Sequence, residues 1–99
     1  MSSESLDGAI KVSLQGELDL ASVNRIEEHL ISIDARGPAK IVVDLSGLAF
    51  IDSSGLRVLL LADARAREHG YELALLPGGE SVQRVFEMTG ANDLLRFES

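Results

Sequence analysis

Near the start of the chain, apolar and polar residues alternate with a period of two. The apolar side of this segment carries Ile10, Val12, Leu14, Gly16 and Leu18. Such alternation predicts a β-strand with one buried face. The glycine on the apolar side predicts a bulge or a close approach of another backbone. The Asp7-Gly8 pair just upstream is a hairpin turn signal, which allows a short leading strand around residues 3–6.

After this strand the apolar residues recur at helical spacing. They are Val23, Ile26, Leu30 and Ile33. This spacing predicts an amphipathic helix. Ser22 is its predicted N-cap, and Gly37-Pro38 is predicted to end the segment.

The rest of the chain continues the order of strands and helices. Residues 41–45 form a β-branched run that predicts a central strand covered on both faces. We interpret residues 46–51 as a connecting stretch and residues 56–69 as a helix. A strand at 71–76, a helix at 81–89 and a short last strand at 94–97 complete the prediction. This alternation predicts an α/β fold with a mostly parallel sheet, in a single domain over residues 1–99.

Composition narrows the possible functions. The chain has 99 residues, of which 45% are hydrophobic and 25% charged, the balance of one ordinary globular domain. Its formal net charge of −7 disfavours direct binding to nucleic acid or to an anionic membrane surface. The absence of cysteine excludes disulfides and thiolate chemistry. No signal peptide and no membrane span are recognisable, so we expect a cytoplasmic protein.

Few residues are suited to catalysis. His29 and His69 fall on different predicted helices and are not at metal-ligand spacing. The Pro77-Gly78-Gly79 turn is followed by Glu80 and lacks the lysine of a phosphate-binding loop. No nucleophile elbow is present. We therefore predict a protein that is not an enzyme and has no metal site and no cofactor.

The segment Asp52-Ser53-Ser54-Gly55 stands between a buried strand region and an apolar helix. Asp52 or Ser53 can cap the helix, which is a sufficient structural explanation. A regulatory site is the other explanation, because two consecutive serines exceed the needs of one cap. The loop also follows a parallel strand, where α/β sheets tend to carry their sites. A helix N-terminus tolerates an added phosphate.

Segments 16–19, 42–48, 50–56 and 85–90 together resemble the STAS domain, and more narrowly the bacterial anti-sigma factor antagonists. The resemblance implies a mixed β-sheet of four to five strands with three to four α-helices packed against it. It also implies that Ser53 is phosphorylated. The kinase would be the partner anti-sigma factor, an ATP-binding protein of the GHKL type, and a PP2C-type phosphatase would remove the phosphate. The unphosphorylated protein would bind the anti-sigma factor and so release a sigma factor.

The expected partner surface surrounds the acceptor serine. It includes Asp19, Asp52, Ser54, Gly55 and Arg57. We expect Asp52 to orient the Ser53 hydroxyl and Asp19 to shape the docking surface. A turn or cap role for Asp19 is about as well supported, and Arg57 also fits an ordinary solvated helix face.

Another class of function stays open. The chain could be a constitutive STAS interaction module, for instance a subunit of a stressosome or of a lipid-transport complex, in which the serine serves only as a cap. A small-molecule enzyme would need a base–nucleophile pair, and none can be named.

Overall fold

The computed structural model describes residues 1–98, apart from the side chain of Leu6. The elements in chain order are β1 (Ser2–Leu6), β2 (Ala9–Leu18), α1 (Val23–Asp34), β3 (Lys40–Ile51), α2 (Ser53–His69), β4 (Glu72–Leu76) and α3 (Glu80–Thr89). A 3-10 turn at Ala91–Asp93 follows α3. Within the described residues, no helix combines the length and apolar character needed to cross a bilayer.

The strands form one mixed sheet in the order β1-β2-β3-β4. The β1–β2 pair is antiparallel, and β2–β3 and β3–β4 are parallel. The predicted mixed sheet with three helices is confirmed, and so are the leading strand and its Asp7-Gly8 turn. The predicted last strand is reduced to a parallel bridge between Leu75 and Phe97. Because β-α-β crossovers are right-handed, α1 and α2 lie on the same face of the sheet, where they contact each other.

The core lies between this face and the helices. From the sheet it takes Ile10, Val12, Ile41, Val43, Leu45, Leu73 and Leu75, and from the helices Leu30, Ile33, Leu59, Ala62, Val82 and Phe86. The intervening residues of β3, Val42 and Asp44, are only partly buried. The prediction that β3 is covered on both faces was therefore wrong, because the β-branched run alternates between a closed face and a partly open one.

The second half of β3 corrects another prediction. Residues 46–51, interpreted as a connecting stretch, belong to the strand and pair with the end of β2. Two register shifts, between Ser13 and Gln15 and between Gly16 and Glu17, interrupt the regular alternation in this region. Gly16 has a φ of 79° and stands next to the second shift, so an irregularity at this glycine is confirmed, although the extra residues lie on the facing strand β3. The irregular pairing brings Leu18 opposite Ile51, so that β2 and β3 end side by side.

Candidate functional site

Two loops meet where β2 and β3 end. The first loop, residues 19–22, connects β2 to α1, and the second, which is Asp52 alone, connects β3 to α2. The backbone N–H of Asp52 donates to the Leu18 carbonyl oxygen at 3.2 Å, so the two chain segments are hydrogen-bonded at the point where they leave the sheet. Parallel strands thus place the residues that follow them at one edge of the sheet.

The carboxylate of Asp52 joins the two loops. Its Oδ1 accepts from the Gly55 N–H at 3.0 Å, which makes Asp52 the N-cap of α2. Its Oδ2 accepts from the Leu20 N–H at 3.2 Å, in the neighbouring loop. Both carboxylate oxygens are therefore engaged with backbone N–H groups. Among the described residues the Ser53 hydroxyl makes no hydrogen bond. In the unphosphorylated protein Asp52 therefore does not orient this hydroxyl, contrary to the expectation.

Asp19 organises the loop that precedes α1. Its Oδ1 accepts from the backbone N–H groups of Ala21, at 3.1 Å, and Ser22, at 3.2 Å. The Ser22 hydroxyl donates to the Glu17 carbonyl oxygen at 2.8 Å. Ser22 holds the N-cap position of α1 but makes no side-chain capping bond, because its hydroxyl is used in the preceding turn. Asp19 thus fills the turn role that the sequence left open, and it is half-buried.

The Ser53 side chain is exposed at the first position of α2, and Arg57 is exposed one turn later. Ser54 is half-buried between them. Gly55 is buried and does not line the surface. A Cβ at Gly55 would lie 2.5 Å from the Leu18 carbonyl oxygen, closer than real side chains come, so α2 can begin this near to β2 only with glycine here. The most exposed side chains of residues 52–57 are therefore those of Ser53 and Arg57.

Two apolar residues beside the site were not singled out from the sequence. Leu20 is 75% exposed and Phe50 is 48% exposed. Leu20 is the residue whose N–H binds Asp52, and Phe50 stands two positions before Asp52 in β3. The sequence signal that could have found them is an apolar residue that fits neither the strand period of two nor the helical spacing. Leu20 follows the strand but precedes the helical stripe, and Phe50 is adjacent to the buried Ile51, which puts it on the opposite face.

Charge around the two loops is mixed. Glu17, Asp19 and Arg25 border one shallow depression beside the loop before α1. Asp52 adds a half-buried carboxylate, and Arg57 adds an exposed cation. Within residues 1–98, no three His, Cys, Asp or Glu side chains are grouped so that they could hold a metal ion. The chemistry available at the surface is therefore one hydroxyl, several charges and two apolar side chains.

Comparison with known proteins identifies the family. The sequence model of the STAS domain matches residues 1–99. The chain belongs to the STAS domain family. Among similar proteins, the putative anti-sigma factor antagonist BtrV of Bordetella bronchiseptica is 34% identical over 87 residues, which is 88% of this chain and 75% of BtrV. The family that the sequence motifs suggested is confirmed.

Solved STAS structures have the same fold. An anti-sigma factor antagonist from Mycobacterium paratuberculosis superposes with a TM-score of 0.89 at 25% identity, over 97% of this chain and 81% of that one. The anti-sigma factor antagonist SpoIIAA in its unphosphorylated form gives a TM-score of 0.83 at 22% identity, over 99% of this chain and 87% of SpoIIAA. At that identity the likeness to SpoIIAA establishes the fold alone.

Proposed function

We propose that this STAS protein is an anti-sigma factor antagonist whose binding to its partner is switched by phosphorylation of Ser53. The observation that carries the proposal is the exposed Ser53 hydroxyl, which has no hydrogen bond among the described residues and begins a helix that Asp52 already caps. Its STAS relatives include proteins described as anti-sigma factor antagonists, which supports the class of partner.

The partner is an anti-sigma factor that is also a serine kinase of the GHKL type. In the forward reaction the Ser53 Oγ attacks the γ-phosphorus of ATP, ADP leaves, and the hydroxyl proton passes to a base on the kinase. A PP2C-type phosphatase hydrolyses the phosphoserine and restores the hydroxyl. Because the kinase requires ATP, we assign this cycle to the cytoplasm. The unphosphorylated protein binds the anti-sigma factor, and a sigma factor is released.

The position of Ser53 explains how a phosphate would change binding without changing the fold. Phosphoserine carries a charge of about −1.5 to −2 at neutral pH. At an exposed helix start, near the partial positive charge of the helix N-terminus, this charge has no burial cost. Against a partner surface that complements the serine and the nearby carboxylates, like-charge contacts cost on the order of several kcal/mol. Phosphorylation would therefore weaken docking while the domain stays folded.

Leu20 and Phe50 supply the apolar part of the docking surface. Interface energy usually concentrates in a few apolar or aromatic anchors surrounded by polar groups. These two side chains flank the loops that Asp52 joins, and both are exposed despite their apolar character. A Leu20→Ser variant should bind the anti-sigma factor more weakly. Met88, which is 80% exposed near the end of α3, offers a matched control, since Met88→Ser should leave binding unchanged.

The decisive experiment is phosphorylation by the cognate kinase with ATP and Mg²⁺, followed by intact-mass measurement and mapping of the modified peptide. We expect one phosphate, located on Ser53, and none on a Ser53→Ala variant. Ser54→Ala is the matched control, because it removes the adjacent hydroxyl and should still accept one phosphate. A phosphate mapped to Ser54, or continued labelling of Ser53→Ala, would show that the assigned acceptor is wrong.

The alternative of a constitutive STAS interaction module treats the serine as a helix cap. Asp52 provides that cap through its bond to Gly55, so capping gives no reason for a serine at position 53. The same mass experiment separates the two functions. A cognate partner that binds the protein tightly but never modifies it would favour the constitutive module.

A further inference from the structure

Arg57 occupies a distinctive position relative to Ser53. Both residues are exposed, and Arg57 stands at i+4 on the same helix. Side chains at this spacing lie on one face of a helix, with Cβ atoms about 5–6 Å apart. The residues at i±3 and i±4 from Arg57 are Ser53, Ser54, Leu60 and Leu61. No carboxylate therefore faces Arg57 from its own helix.

In the part of the chain that the structure describes, Arg57 has no acidic partner on another element either. The ion pairs found within residues 1–98 involve Arg67, Arg84 and Arg96 but not Arg57. The carboxylate nearest in sequence, Asp52, accepts hydrogen bonds from two backbone N–H groups instead. The guanidinium is thus an available cation one helical turn from the proposed acceptor residue.

We propose that Arg57 is the intramolecular counter-ion of the Ser53 phosphate. This inference rests on the proposed function for the claim that Ser53 is phosphorylated. The placement of Arg57 relative to Ser53 does not depend on that claim. An anion that precedes a cation by one helical turn is the more favourable order of a helical ion pair. The phosphate at the first residue of α2 also lies near the positive end of the helix dipole. A guanidinium can bind two phosphate oxygens at once, which makes arginine better suited to this role than lysine.

The pairing has two consequences for docking. It offsets the repulsion between the phosphate and the adjacent Asp52 carboxylate, so the phosphorylated loop keeps its conformation. It also engages the Arg57 guanidinium, which in the unphosphorylated protein is free to meet a carboxylate of the partner. Phosphorylation then adds an anion to the docking surface and withdraws a cation from it. The two changes act in the same direction.

The test uses full-length protein with phosphoserine installed at position 53 by genetic-code expansion, so that it does not depend on a kinase. The second pKa of the phosphate is followed by ³¹P NMR in the wild type and in Arg57→Gln, Arg57→Lys and Arg84→Gln. In Arg57→Gln we expect that pKa to rise by about 0.2–0.4 unit, the size typical of exposed helical ion pairs. Arg57→Lys should show a smaller rise. Arg84, an exposed arginine on α3, is the matched control and should cause no change.

The outcomes separate this inference from the proposed function. If Arg57→Gln titrates like Arg84→Gln and the wild type, Arg57 is not the counter-ion, whatever the kinase assay gives. If the kinase fails to modify Ser53 but the installed phosphate responds to Arg57, the pairing stands and the proposed function fails.

Discussion

The first turn of α2 lies so close to β2 that one added methyl group should destabilise the protein. An ideal Cβ on Gly55 would lie 2.5 Å from the Leu18 carbonyl oxygen, 2.6 Å from the Leu18 Cγ and 3.1 Å from the Ile51 Cγ1. Two effects oppose each other in Gly55→Ala. Alanine gains up to about 1 kcal/mol of helix preference, whereas overpacking costs about 1–3 kcal/mol. Because the closest atom is backbone in a central part of the sheet, the cost should be near its upper limit, and we expect a net loss of about 2 kcal/mol.

Thermal unfolding followed by circular dichroism measures this loss. For a domain of this size, about 2 kcal/mol lowers the melting temperature by about 8–16 °C. Gly79→Ala is the matched control, since Gly79 has an ordinary negative φ and no heavy atom within 4 Å of an added Cβ. As the N-cap of α3 it should lose less than about 1 kcal/mol. A Gly55→Ala protein that melts at or above the temperature of Gly79→Ala would refute the close approach of α2 to β2.

Two further predictions concern single carboxylates. Asp52→Ala removes both the cap of α2 and the hydrogen bond to the Leu20 N–H, and should lower the free energy of unfolding in urea by about 1–2 kcal/mol. Asp52→Asn keeps one acceptor oxygen and should lose less. Equal losses in the two variants would contradict the role of Asp52 in joining the two loops. The hydrogen bond from the Tyr71 hydroxyl, 2.6 Å away, lowers the pKa of Asp34, and His69 at 2.9 Å acts in the same direction against burial. This stabilisation is complete above the unfolded pKa, about 3.9, and is lost as the pH falls through the lower folded value. In Tyr71→Phe the free energy of unfolding, measured with urea, should therefore depend less steeply on pH below about 4. The same pH dependence in the variant and the wild type would show that this hydrogen bond contributes nothing.

Much of the fold could be predicted from the sequence because its elements are strongly periodic. The alternation that ends at Leu18 and the helical stripe from Val23 each bury one face, and a residue pattern reports that directly. The prediction failed for residues 46–51, where bulges opposite Gly16 break the period. It also failed for the second face of β3, since a β-branched run looks the same whether one or both sides are covered.

For the candidate site, the sequence alone singled out the segment, because Asp52 and Ser53 stand where a helix must begin and where its free N–H groups need an acceptor. It could not determine how these residues are used. Only the tertiary structure brings Leu20 to the Asp52 carboxylate, buries Gly55 under Leu18 and leaves Leu20 and Phe50 uncovered. Local rules act between residues a few positions apart, whereas these contacts join β2 to β3 and α2. They depend on strand register and packing, which no single segment encodes.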